Sequence, residues 1–250
     1  MSNAFLQRLT HAAVLSDEEL AAVEELCRQP KDIAAKKYLS RDGDEMVSFP
    51  VVLSGWAARY QILRDGARQI TRLLLPGDAF YFDSSPDGVA IEEVITLSSC
   101  RIVNILHADM RRVIDRFPAV GEAMRSYGSM ENAVMASWVV NVGRRDALER
   151  MAHLICEAHY RLSLVDPKLD EQMFFPLTQD DLADALGLTP VHINRKLQQL
   201  RQDQLITLRS KQLIIHDLRS LQQVAGFDSA YLAPRTQTPR DQERLKAIAA

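Results

Sequence analysis

The sequence predicts an α+β chain in three parts: an N-terminal antiparallel β-roll, a long helix and a C-terminal winged helix-turn-helix. Three observations predict it. Residues 33–105 carry short apolar runs of period two, separated by regular turn signals. Residues 118–141 repeat apolar positions every seven residues. Residues 177–206, LTQDDLADALGLTPVHINRKLQQLRQDQLI, read as two short helices about a tight glycine turn.

The helix-turn-helix is specified by its ends as well as by its periodicity. Thr178 is an N-cap whose hydroxyl satisfies an unpaired backbone N–H, and Asp181 places a carboxylate in the positive first turn. Leu182, Ala183 and Leu186 form one apolar face, and small Ala183 lets the next helix approach. Gly187 ends the first helix where a positive φ is wanted. Thr189 caps the second helix and Pro190 takes its first position, where a missing N–H costs nothing. Ile193, Leu197 and Leu200 form the buried stripe of that helix. Val191, His192, Asn194, Arg195 and Gln198 lie off the stripe, on a face of the kind that enters the major groove of duplex DNA. Arg195 suits a two-pronged pair with guanine or a phosphate contact, and Asn194 suits adenine or backbone. Leu205–Leu208 and Leu213–Ile215 flank Arg209-Ser210-Lys211-Gln212, which makes a wing with Arg209 and Lys211 near phosphate. A helical hairpin buried in an ordinary α domain is the alternative; it accounts for neither the polar face nor the basic wing.

At 250 residues, 47% of them hydrophobic, the chain is long enough for two ordinary domains. It has no run of eighteen apolar residues and no continuous signal-peptide core near its start, so no membrane partner and a cytoplasmic location are expected. The net charge of −3 is unevenly spread. Residues 1–142 hold 15 Lys and Arg against 19 Asp and Glu, residues 143–250 hold 15 against 14, and residues 191–211 hold five cations against Asp203 alone. A small basic patch on a near-neutral domain suits specific, dimer-dependent DNA binding better than nonspecific coating. Cys27, Cys100 and Cys156 are far apart and form no C-x-x-C pair, so buried structural thiols are expected and no metal site is assigned.

In chain order, Ser16 and Glu19 mark the start of a helix in a lead-in over residues 3–29. Strands follow around turns at Asp42-Gly43-Asp44, Ser54-Gly55, Arg64-Asp65-Gly66 and Pro76-Gly77-Asp78, with two more at 92–97 and 100–106. Asp109–Arg116 reads as a short helix, and Pro118 opens the long one. The sevenfold repeat on the long helix places Val120, Met124, Tyr127, Val134, Trp138 and Asn141 on one seam, which fits either a two-stranded coiled coil between chains or packing on the chain's own roll. Val142-Gly143-Arg144-Arg145 reads as a hinge, and Asp146 caps the next helix. The expected parts are therefore 1–116 for the lead-in and roll, 117–142 for the long helix, 143–233 for the winged domain and 234–250 for a polar tail.

The helix-turn-helix, with its Gly, Thr, Arg195 and following Gln-Leu-Ile, resembles the DNA-binding domain of the Crp–Fnr superfamily of bacterial transcription regulators. Asp42-Gly43-Asp44, Leu53-Ser54-Gly55, Asp65-Gly66 and Leu75-Pro76-Gly77-Asp78 are similar to the superfamily's cyclic-nucleotide-binding-type β-roll, so the resemblance spans roughly residues 10–230. It implies a homodimer joined by the long helix, a pseudo-palindromic DNA site, a signal received at the roll and activation by contact with RNA polymerase. Arg195 matches the arginine that the superfamily uses at its DNA site. Val191 stands where many members have a base-reading Glu, and it accepts no hydrogen bond. Tyr81-Phe82 stand where cyclic-nucleotide binders have Gly-Glu for the ribose, and Ala90-Ile91 stand where they clamp the phosphate. A buried phosphodiester needs a cation and donors, so cAMP is not the expected effector; these four residues line a candidate pocket for something else, or are simply core. The N-terminal cysteine cluster that some members use for an iron–sulfur centre is absent. His11, His107, His153, His159, His192 and His216 are scattered and select no haem ligand, so haem or another small effector stays open.

Two other readings are carried. One is a constitutive DNA binder whose roll is purely structural. The other is an enzyme with a regulatory roll, which the sequence supports with no nucleophile–base pair, phosphate loop or metal spacing. No cofactor is assigned and the chain is not expected to be an enzyme.

Overall fold

A computed structural model of the chain describes residues 3–80 and 88–233. Helices α1 (Ala4–Ala12) and α2 (Asp17–Leu26) form the lead-in, the second started by a complete Ser16–Glu19 capping box. The roll follows as β1 (Lys31–Ile33), β2 (Tyr38–Ser40), β3 (Ser48–Ser54), β4 (Ala57–Ile62), β5 (Arg68–Leu74), β6 (Glu93–Thr96) and β7 (Cys100–Leu106). These make two antiparallel sheets, ordered β1-β7-β3 and β2-β6-β4-β5. Val52, Ala57, Leu74, Val94 and Ile102 fill the space between them. β3 buries four residues in a row, Phe49 to Val52, because both its faces are covered. Val52 points into the roll, while Phe49 and Val51 meet Phe5 and Leu9 of α1 on the other side.

Helices α3 (His107–Arg116), α4 (Pro118–Arg144) and α5 (Ala147–Ser163) come next. The winged domain continues with β8 (Gln172–Phe174), α6 (Gln179–Leu186), α7 (Pro190–Gln202), β9 (Ile206–Arg209), β10 (Gln212–Ile215), α8 (Leu218–Ala225) and a 3-10 turn (Ser229–Leu232). The wing sheet is ordered β8-β10-β9. Neither β1 nor β8 is expected from the sequence, since three-residue strands are too short to show a period.

The expected hinge is displaced. Val142, Gly143 and Arg144 continue α4, and the chain breaks at Arg145, whose ψ of 149° is extended, just before Asp146 caps α5 with Leu148 and Glu149 N–H groups. Gly143 needs no special conformation there, because an α-helix admits glycine at a modest cost.

The expected dimer seam also requires correction. Val120, Met124, Tyr127, Val134, Trp138 and Asn141 are all buried within one chain. Val120, Met124 and Tyr127 close the core over Phe49 and Val51. The Tyr127 hydroxyl accepts from the Ala79 N–H at 2.9 Å and donates to its carbonyl at 3.2 Å. Trp138 donates to Glu157, and Asn141 to the Arg150 carbonyl. The seven-residue repeat thus marks the face that α4 lays on its own roll and on α5.

A buried ionic cluster joins these parts. Asp78, after the turn that ends β5, accepts from the Leu75 N–H at 2.7 Å, from Arg8 of α1 at 3.0 Å and from Arg161 of α5. Arg161 also donates to the Leu73 carbonyl and to Glu157. Glu157 accepts from Trp138 of α4 and from the Tyr231 hydroxyl. Burial alone would raise the Asp78 carboxyl; Arg161, Arg8 and Arg72 outweigh it and hold the group below the ordinary value.

His153, buried beside Phe227 and Tyr231, is pushed down by desolvation to about 4 from 6.5. The folded state therefore holds it neutral where the unfolded chain takes a proton. Its stabilising contribution is full above pH 6.5 and is lost as pH falls towards 4, by on the order of 3 kcal/mol. Urea midpoints measured across that range should fall with pH, and His153→Gln should flatten the slope.

Candidate nucleic-acid interface

The recognition surface is built by local rules. Thr178 accepts from the Asp181 N–H at 3.1 Å while the Asp181 carboxylate accepts from the Thr178 N–H at 3.0 Å, so each end of the first turn satisfies the other. Gly187 closes α6 with φ of 62°, the left-handed conformation a side chain disfavours. Thr189 caps α7 through the His192 N–H, and Pro190 starts it. Ile193, Leu197 and Leu200 are buried against α5, α6 and the wing sheet. Each such side chain contributes about 1.5–3 kcal/mol relative to exposure, which fixes the rotation of α7.

That rotation leaves the opposite face open. Val191 is 70% exposed, and Thr189, His192, Arg195 and Gln198 are exposed beside it, with Asn194 half-buried. Thr178 lies exposed at the start of α6. On the wing, Arg209 and Lys211 are exposed, and Ser210 and Lys211 have φ of 49° and 63°. Two successive left-handed residues give the tight turn that matches strand twist, here with a charged residue where glycine would fit more easily. Arg201 donates to the Leu208 carbonyl at 2.9 Å and so ties the end of α7 to the wing.

One contact to this region is not legible in the sequence. Arg68 of β5 donates to Asp181 at 2.9 Å and to Asp184 at 2.6 Å, both on α6. Arg150 supports the other end of α6 by donating to the Leu186 carbonyl at 2.9 Å. Arg68 is more than a hundred residues away from its partners, and no local pattern announces the pair.

At the roll, two of the positions expected to line an effector pocket differ in exposure. Ala90 is fully buried, whereas Ile91 is 65% exposed and points away from it. Tyr81 and Phe82 lie outside the described residues. Next in the chain, Glu92 pairs with Arg59 and accepts from the Thr71 hydroxyl at 2.7 Å. Cys27, Cys100 and Cys156 are free thiols in buried positions, and burial pushes Cys100 to about 11 and Cys156 to about 12. Among the described residues no cluster of His, Cys, Asp and Glu is placed to hold a metal ion, and no helix is long and apolar enough to cross a membrane.

A β-roll, a long connecting helix and a winged domain with an exposed recognition helix together define a DNA-binding transcription regulator. Comparison with known proteins narrows the class. Residues 30–117 match the cyclic nucleotide-binding domain, and residues 149–224 match the Crp-like helix-turn-helix domain. The chain is 29% identical over 233 residues to the transcriptional activator protein FnrL of Cereibacter sphaeroides, covering 88% of this chain and 91% of that one. It is 25% identical over 218 residues to the fumarate and nitrate reduction regulatory protein of Escherichia coli O157:H7, covering 85% and 84%. In fold it is similar to FixK2 from Bradyrhizobium japonicum, with a TM-score of 0.71 at 20% identity over 80% of this chain and 98% of that one. It is also similar to a CooA mutant from Carboxydothermus hydrogenoformans, with a TM-score of 0.63 at 16% identity over 81% and 90%. The chain belongs to the Crp–Fnr superfamily of transcription regulators.

Lys211→Gly separates charge from conformation at the wing, because glycine accepts the φ of 63° and brings no cation. Fold stability should be kept or slightly raised. Affinity for DNA should fall, and the slope of log affinity against log salt should shrink by about 1 for each chain bound. Filter binding across a salt series checks both.

Proposed function

We propose that the chain acts as a homodimer on a pseudo-palindromic site, with one α7 in each of two successive major grooves, under control of a signal other than a cyclic nucleotide. The observation that carries the DNA-reading part is the exposed face of α7, with Arg195 and Gln198 outward while Ile193, Leu197 and Leu200 are buried. A two-fold dimer would present two such helices about 34 Å apart, one turn of duplex.

The dimer reading rests on a second face of α4. Met135, Ala136, Val139 and Val140 are exposed, Val139 by 68%, and they recur at helical spacing. A helix that buries one apolar face on its own chain and exposes another has a second partner to cover. We assign that partner to α4 of a second copy. Activation of transcription is in keeping with the FnrL relative, whose name is that of an activator, and contact with RNA polymerase is what the superfamily resemblance implies for it. The non-cyclic-nucleotide reading is supported by Ala90 and Ile91, which offer a phosphate neither a cation nor a side-chain donor.

Selection of bound sequences from random duplex DNA by the untreated protein tests the reading. An inverted repeat should be enriched, and its half-site reports what Val191 and His192 contact. No enrichment by a folded dimer would contradict binding without added ligand. Arg195→Ala should lower affinity for the selected site by about 1–3 kcal/mol, at unchanged thermal stability; equal affinity removes Arg195 from the reading. Val139→Glu should give folded monomers in sedimentation velocity, and a persistent dimer would place the interface elsewhere.

A further inference from the structure

A cleft between the roll and the winged domain, away from the recognition face, is lined by residues of both. It has a volume of about 730 Å³. One wall is the roll, with Leu53, Trp56 and Pro76; the other is the winged domain, with Leu169, Met173 and Phe174. Below it the two units touch directly. Trp56 meets Phe175 edge-on at 5.5 Å, and Gly77, with φ of 90°, lets the Ala4 backbone and Val165 approach so closely that a Cβ would clash with both. The cleft is thus the unfilled part of a tight junction.

We propose that this cleft is a binding site for an uncharged, mainly apolar small molecule carrying a carbonyl or hydroxyl group. Its volume falls in the range of small-ligand pockets, roughly 300–1,000 Å³. The lining is predominantly apolar and includes two side-chain amides, Gln7 and Gln172, the second of which donates to the Gln212 side chain at 3.3 Å and keeps its own carbonyl oxygen to accept. The charged residues that line it, Asp166 and Lys168, are both exposed and of opposite sign, so the site carries no net charge to favour an ion. Phe174 is 40% exposed on β8, an edge strand of the wing sheet. An exposed aromatic on a sheet edge is a liability for a chain that leaves it uncovered. A molecule held there touches both units, so its binding energy depends on how they are docked, and by reciprocity it biases DNA affinity. That regulatory role rests on the proposed function; the binding does not.

The test is a fluorescence titration of the full chain with N-phenyl-1-naphthylamine, an uncharged apolar probe, in the absence of DNA. Saturable binding of one probe per chain is expected. Phe174→Asp and Leu169→Asp should each weaken it at least tenfold, while Ile62→Ser, at an exposed apolar residue on β4, should leave it unchanged. Equal affinity in the two folded cleft variants would overturn the proposal, as would non-saturable binding. Binding that appears only after removal of residues 234–250 would also overturn it, because the chain's own tail would then be the occupant. A failure of DNA binding in separate assays would count against the proposed function and leave this result standing.

Discussion

The carboxylate of Asp78 holds together parts of the chain that are far apart in sequence. It sits at the end of the four-residue turn Leu75-Pro76-Gly77-Asp78, where it closes on the Leu75 N–H, and from there it takes Arg8 of the lead-in helix and Arg161 of the winged domain. Neither arginine reaches solvent. A buried guanidinium without a counter-charge costs several kcal/mol, so each arginine is committed to this one oxygen pair or its neighbours. Glu157 extends the arrangement to Trp138 of α4 and to Tyr231, which brings the lead-in helix, the roll, α4, α5 and the last turn of the winged domain to one buried cluster. The docking of the winged domain on the roll is therefore specified by charge and hydrogen bonding as well as by apolar contact. A signal that moves either unit must act against this junction.

The same geometry explains how the recognition face is presented. α5 carries Arg161 and Glu157 into the junction and its apolar side chains into the winged domain, so it links the cluster mechanically to α6 and α7. Arg68 adds a second hold, from the roll hairpin to α6, close to the Thr178–Asp181 cap. Both holds are polar and directional. Apolar surfaces slide at little cost, whereas a forked arginine on two carboxylates has one good geometry. The winged domain is thus held in a defined orientation relative to the roll within one chain.

Much of the fold is legible in the sequence because its signals are local. Thr178, Gly187, Thr189 and Pro190 mark helix ends by rules that need no knowledge of the rest of the chain, and the glycine turns of the roll are read in the same way. Long-range partners are not legible: nothing near Asp78 points to Arg8 or Arg161, and nothing near Arg68 points to Asp181. The long helix shows a different limit. A sevenfold apolar repeat says that a face is covered, and it is silent on what covers it. The seam through Tyr127 and Trp138 is covered by the chain itself, while Met135, Ala136, Val139 and Val140 form the face left outside. Large side chains with a polar tip, Tyr127 and Trp138, suit a buried position where the tip finds a fixed partner, and both find one, at Ala79 and Glu157. That Ala90 is buried and Ile91 exposed fits an alternation the sequence does allow for, since adjacent residues on an extended chain face opposite ways.

The measurement that bears most directly on this account is a double-mutant cycle between Asp78→Asn and Arg161→Gln, read by urea unfolding of the full chain. If the buried pair joins the roll to the winged domain, each single substitution should be strongly destabilising. The double substitution should then cost little more than the larger single one, because the second change removes a charge the first has already stranded. Additive losses would contradict the account, for they would mean that the two residues act independently and that this pair does not join the roll to the winged domain.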